Sequence, residues 1–284
     1  MKRHPVIRTI WYAINVLLIF ALGFVVYSAG WEFSTRSYLK GFSDAIIPAN
    51  ADTEHKVEAI LGWMDHGSAR RMIQDADSLD GRNPEDTLNY HQFLEVCGTA
   101  TNAFVNLAES SGLRARRLLL LDQDRRGKHV VVEVFMDDRW AVVDPAYRRI
   151  FRLSNGEMVT RADLADPAIF QSVTQSIPNY PQNYTYERTS HVRLSRIPLV
   201  GRYLRPVLNA IWPSWEEKMN WTLLVERESF AMLVLSVCLL CFALAARLVL
   251  GFYCFRRFGI LRLRLRDQVL RVGEILTSNI HQRS

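Results

Sequence analysis

His129-Val130-Val131-Val132-Glu133-Val134-Phe135-Met136-Asp137-Asp138-Arg139-Trp140-Ala141-Val142-Val143-Asp144 reads as two β-strands around a two-residue turn. β-Branched and aromatic residues crowd both arms, and Asp137-Asp138 interrupts them. With that turn length Met136 opposes Arg139, opposed residue numbers sum to 275, and Val131 faces Asp144. His129 shares a face with Val131. His129 and Asp144 therefore project from one side of the hairpin as diagonal neighbours, with Cβ atoms roughly 7 Å apart. An odd loop length would turn Asp144 to the opposite face.

Upstream, Val96, Ala100, Ala103, Phe104 and Leu107 keep one apolar face at helical spacing, and Gly112 stands where a helix stops. Cys97-Gly98-Thr99 thus opens a helix of about four turns, followed by a strand over Arg116 to Leu121. A thiol in a first helical turn feels the positive end of the macrodipole and unpaired amide groups, which favour thiolate and offer donors to an oxyanion. Cys238, Cys241 and Cys254 all fall in an apolar run near the C-terminus, so Cys97 is the lone thiol of the central region. It cannot form an internal disulfide there, and is either inert, paired with another chain, or kept for chemistry.

Judged singly, His129 is a satisfied histidine at a strand start and Asp144 the first residue of an Asp-Pro turn. Jointly they make a thiol, an imidazole and a carboxylate in the chain order Cys97, His129, Asp144. In acyl transfer the thiol attacks the acyl carbon, the imidazole moves the proton, and the carboxylate fixes the ring tautomer. Gln92 and His91, just before Cys97, are candidates for a further oxyanion donor; the alternatives are helix-cap or surface roles.

These residues resemble the transglutaminase-like superfamily, circularly related to the papain-type cysteine proteases. The resemblance rests on Cys97-Gly98 opening a helix, Gly112-Leu113-Arg114-Ala115-Arg116 as a helix-to-strand turn, His129 with Glu133-Val134, Trp140, and Asp144-Pro145. It covers about residues 85 to 152. Arg114 stands where the family often has proline, and Val130 follows His129 where many members have a small residue. The resemblance places Cys97, His129 and Asp144 at the catalytic positions. It implies an α+β papain/transglutaminase-like domain, the Cys97 helix packed on an antiparallel sheet carrying the other two residues. Members include crosslinkers, peptidases and amidases, and some are inactive, so an envelope scaffold or binding module is the alternative to an enzyme. No cofactor is implied. Some relatives need calcium, but Asp75-Ala76-Asp77-Ser78-Leu79-Asp80-Gly81 puts Leu79 where an EF-hand loop needs an oxygen, so no metal is expected.

Further out, Asp52-Thr53-Glu54 signals a helix start, with Val57, Ile60, Leu61 and Met64 inward. These residues and the hairpin bound a core of about 52–152. Residues 153 to 190, rich in Asn, Pro, Ser, Thr and Tyr, read as a loop-rich closing section, and 191–228 as a return linker. Arg193, Arg196, Arg202 and Arg205 with Trp212, Trp215 and Trp221 would suit a membrane interface, but a linker needs nothing more. Asn183-Tyr184-Thr185 and Asn220-Trp221-Thr222 fit glycosylation acceptors, which matter only in a eukaryote.

At the ends, Ile10 to Trp31 is 22 residues without a charge, long enough for a ~30 Å hydrocarbon layer. A cleaved signal peptide competes, with Val26 and Ser28 before the cut, but its apolar core is normally about 7 to 15 residues. A second span covers 229–255. Lys2, Arg3 and Arg8 precede the first span, and Arg256, Arg257, Arg262, Arg264, Arg266 and Arg271 follow the second. The positive-inside rule then puts residues 1–9 and 256–284 in the cytoplasm and the 197 residues 32–228 outside it, periplasmic in a Gram-negative cell. Phe258, Leu261, Leu265, Val269, Val272, Leu276 and Ile280 make the tail a basic amphipathic helix or a solvated tail. The two ends carry +9 of a net charge of +6 in 284 residues, leaving −3 for the middle. That balance excludes a central nucleic-acid surface. The expected partners are a peptide or protein substrate and membrane lipid, with a membrane protein as a further candidate.

Overall fold

In this computed structural model residues 5–66, 81–124, 126–191, 200–212, 215 and 220–258 are described. Most of the expected amphipathic tail (259–284), Asp75 to Asp80, Arg193 and Arg196 lie outside them. The backbone divides into two units, Phe33–Ala231 and the pair Met1–Glu32 with Met232–Ser284.

In the larger unit, Asp52 caps α2 (Thr53–His66) by accepting from the His55 amide at 2.9 Å, and Val57, Ile60, Leu61 and Met64 are its buried face. Asn83 caps the short α3 (Pro84–Asn89), which leads through α4 (His91–Glu95) into α5 (Cys97–Ser110). α5 ends where Gly112 takes φ +81°, with Leu113 N–H bonded to Ala108 O at 2.9 Å and Gly112 N–H to Glu109 O at 3.1 Å. That left-handed closure satisfies the last carbonyls and turns the chain into β1 (Ala115–Leu121).

β1, β2 (Gly127–Met136), β3 (Arg139–Asp144), β4 (Arg149–Ile150) and β5 (Thr189–Ser190) form an antiparallel sheet in the order β4-β3-β2-β1-β5. Met136 pairs with Arg139 and Val132 with Val143, the register the two-residue turn requires. Asp137 and Asp138 both adopt positive φ, 48° and 60°, as a type I′ hairpin demands. Alternation along the strands separates two cores. Val132, Val134, Met136, Ala141 and Val143 pack with α2 and α5, while Leu118, Leu120, Val131 and Val142 pack with Phe151, Phe170, Tyr180 and Tyr186. The closing section contains α6 (Arg161–Leu164) and α7 (Pro167–Thr174), and its tyrosines belong to the second core.

Two segments depart from the sequence reading. α1 (Pro5–Ile46) does not end with the apolar run at Trp31; Tyr38, Leu39, Phe42 and Ile46 recur at helical spacing and join the first core. The 191–228 segment is more than a linker. After α8 (Val200–Ile211), α9 (Thr222–Glu226) is bonded into the domain: Arg117 N–H donates to Thr222 Oγ1 at 3.0 Å and the Arg117 guanidinium meets Glu226 at 2.5 Å. Asn102 and Asn106 of α5 donate to the Glu226 carbonyl, and Arg227 Nε donates to Asn106 Oδ1 at 2.8 Å.

The smaller unit holds the apolar part of α1 and most of α10 (Glu228–Phe258), each helix long and apolar enough to cross a membrane. Within it Ser28 Oγ donates to Ser236 Oγ at 3.2 Å, and Arg247 Nε donates to Asn15 Oδ1 at 3.3 Å with its guanidinium 5.3 Å from the Trp11 ring. Polar pairs of this kind suit helices in a medium that offers them no water.

Candidate active site

Cys97 is the first residue of α5. Val96 before it is extended, and its carbonyl takes the Ala100 amide at 2.8 Å, so the helix starts without a side-chain cap and Cys97 stays partly exposed. His129 reaches the same place from β2. Leu120 pairs with His129 but Leu121 with Gly127, leaving Lys128 as an extra, bulged residue beside it. Bulges re-aim neighbouring side chains. Thr101 Oγ1 of α5 donates to Val130 O at 3.2 Å, bracing the helix against β2 one residue from His129.

Asp144 ends β3 and is fully buried. Its Oδ1 accepts the amides of Ala146 at 3.1 Å and Tyr147 at 3.3 Å, closing the Asp-Pro turn. Its Oδ2 sits 2.7 Å from His129 Nε2 and accepts from Tyr180 Oη at 3.0 Å. With Nε2 on the carboxylate, Nδ1 is the nitrogen left to act on the Cys97 thiol, whose pKa His129 lowers. Burial by itself would depress the imidazole, but the hydrogen bonds to Asp144 and Cys97 and their charges overturn it and raise its pKa from 6.5 to about 9. The hydrogen bond to His129 pulls the Cys97 thiol below its ordinary value, against the opposing effect of burial. The arrangement therefore favours a thiolate–imidazolium pair, with sulfur its partly exposed member.

The structure thus brings Cys97, His129 and Asp144 together. Of the two candidate oxyanion donors, Gln92 lies partly buried on α4, whereas His91 is half exposed and pairs with Glu95 at 3.2 Å. Sequence reasoning missed the tyrosines. Tyr184 stacks on the imidazole with ring centres 4.6 Å apart and planes at 12°, Tyr147 meets it edge-on at 6.0 Å, and Tyr180 bonds Asp144. The only local signal for Tyr180 and Tyr184 was their density in Asn179-Tyr180-Pro181-Gln182-Asn183-Tyr184. No group of three or more His, Cys, Asp or Glu side chains among the described residues has metal-holding geometry.

The sequence profile of the transglutaminase-like superfamily matches residues 40–145, from the last turns of α1 to Pro145. No curated protein and no solved structure gives a significant match. With a Cys97 helix packed on an antiparallel sheet, residues 40–145 form a transglutaminase-like domain within an α+β fold, and the superfamily it matches includes cysteine acyltransferases and proteases.

Proposed function

We propose that this chain is a membrane-anchored cysteine enzyme that hydrolyses amide bonds of extracytoplasmic peptides or proteins, or transfers their acyl groups. One observation carries the reading: a buried imidazole, held at 2.7 Å from Asp144 through Nε2, acts on the Cys97 thiol at the start of α5 and lowers its pKa. The thiolate adds to the amide carbon, and the tetrahedral oxyanion is met by the free amides of the first turn of α5. As the C–N bond breaks, Nδ1 of His129 gives its proton to the leaving amine, and a thioester to Cys97 remains. Water or an amine then loses a proton to Nδ1, attacks the thioester and releases the thiolate. Asp144 holds the imidazole tautomer throughout. Both spans have their basic flanks on the terminal sides, which supports cytoplasmic termini and an exported domain.

The test is labelling in intact membranes with an impermeant, thiol-directed acyl probe. Cys97 is expected to be acylated, Cys97→Ala to abolish labelling, and His129→Ala to slow it by roughly a hundredfold or more. Undiminished labelling in His129→Ala overturns the mechanism.

A further inference from the structure

Tyr184 lies beyond the segment that matches the superfamily, yet it forms one wall of the site. Its ring is nearly parallel to His129 at 4.6 Å, close enough for the π face to act on a charge in the imidazole. The ring is held from two sides. Tyr180 packs edge-on against it at 5.7 Å and 88°, and with Tyr147 it packs against the second core. Because Tyr180 also bonds Asp144, the wall and the carboxylate are fixed by the same residue. His129 is only 3% exposed, so an imidazolium there has little water to solvate it. The groups that face it are Cys97 from α5, Asp144 from β3, Tyr147 from the turn that follows, and Tyr184 from the segment after α7; Arg148 in that turn acts on Asp144. Tyr184 covers the face of the ring.

We propose that Tyr184 is a positioning residue for acyl transfer: its ring clamps the His129 imidazole in line with Asp144 and Cys97, and its π face stabilises the imidazolium of the reactive pair. This rests on Cys97 being the nucleophile. The imidazolium is the species that gives its proton to the leaving amine, so the clamp would act on the proton-transfer step without touching substrate. Neutral imidazole gains less from the same stacking, because the face of the phenol ring is the negative end of its quadrupole.

The experiment is the pH dependence of Cys97 alkylation by iodoacetamide in the full chain in detergent, for the parent, Tyr184→Leu, Tyr184→Met and Tyr184→Phe. Leucine and methionine keep apolar bulk and remove the π face; phenylalanine keeps the face and removes the hydroxyl. The leucine and methionine variants should raise the acid limb and lower the alkaline limb, each by roughly half to one pH unit. Near the acid limb this is a loss of about three- to tenfold in rate. Tyr184→Phe should stay within about twofold of the parent. Parent-like profiles in folded leucine or methionine variants overturn the clamp, as does a Phe variant that behaves like leucine. Using two bulky apolar variants keeps a readout if one does not fold, with circular dichroism to show which is folded. A parent Cys97 that alkylates like an ordinary thiol, unaffected by His129→Ala, instead defeats the nucleophile reading itself.

Discussion

Asp144→Asn tests the site where its parts are most tightly coupled. The amide can keep an oxygen toward the Ala146 and Tyr147 amides, so the turn after β3 keeps its acceptor. Its NH2 then faces His129 Nε2, which must accept instead of donate. The neutral ring is driven to the tautomer whose Nδ1–H points at sulfur, leaving no base for the thiol proton. The charge is lost as well. Asp144 contributes both the leading hydrogen bond and Coulombic attraction to the rise of the His129 pKa from 6.5 to about 9, a rise that already overcomes burial. If the substitution returns at least about one and a half units, roughly 2 kcal/mol, the imidazolium fraction at about pH 8 falls from about nine-tenths to about a quarter. With the wrong tautomer added, acyl transfer should fall on the order of 10³- to 10⁴-fold. In the parent, the pair exists above the depressed Cys97 pKa and is lost as pH rises through about 9. The assay is single-turnover acylation of Cys97 from about pH 5 to 10 in parent and variant, with the alkaline limb reporting His129. A variant whose limb stays near 9, or whose rate falls by less than about tenfold, would refute the assignment of Asp144 as the group that orients and charges His129.

Two further substitutions test the framework that holds the site. Asp138→Gly relieves a left-handed conformation in the type I′ hairpin and should raise stability by about 0.5 to 1 kcal/mol; a lower thermal midpoint would count against that turn geometry. Glu226→Ala leaves the Arg117 guanidinium, 15% exposed, without its carboxylate, and should cost about 3 kcal/mol in denaturant unfolding of the detergent-solubilised chain; a loss below about 1 kcal/mol would mean that α9 is not docked as described.

What was legible in the sequence had local periodicity. Alternation around a two-residue turn fixes which face His129 and Asp144 share, and helical spacing from Val96 to Leu107 with a terminal glycine fixes where α5 begins and ends. The extension of α1 was hidden because beyond Trp31 its apolar stripe narrows to Leu39, Phe42 and Ile46, a pattern that reads as neither span nor obvious core. The α9 contacts were hidden because they join groups more than a hundred residues apart, as the Arg117 amide and the Thr222 hydroxyl show. The tyrosines fell between these cases: their density is visible, but Tyr180 acquires its role only by meeting Asp144 across 36 residues. The carboxylate itself shows why weighing one residue against one role misleads. An Asp-Pro turn and a carboxylate that orients a histidine looked like rival explanations of Asp144, yet Oδ1 closes the turn while Oδ2 receives His129 and Tyr180. Having spent one oxygen on its own backbone, the side chain cannot rotate to follow the imidazole. The turn thereby gives the carboxylate the fixed direction that a tautomer-setting partner needs.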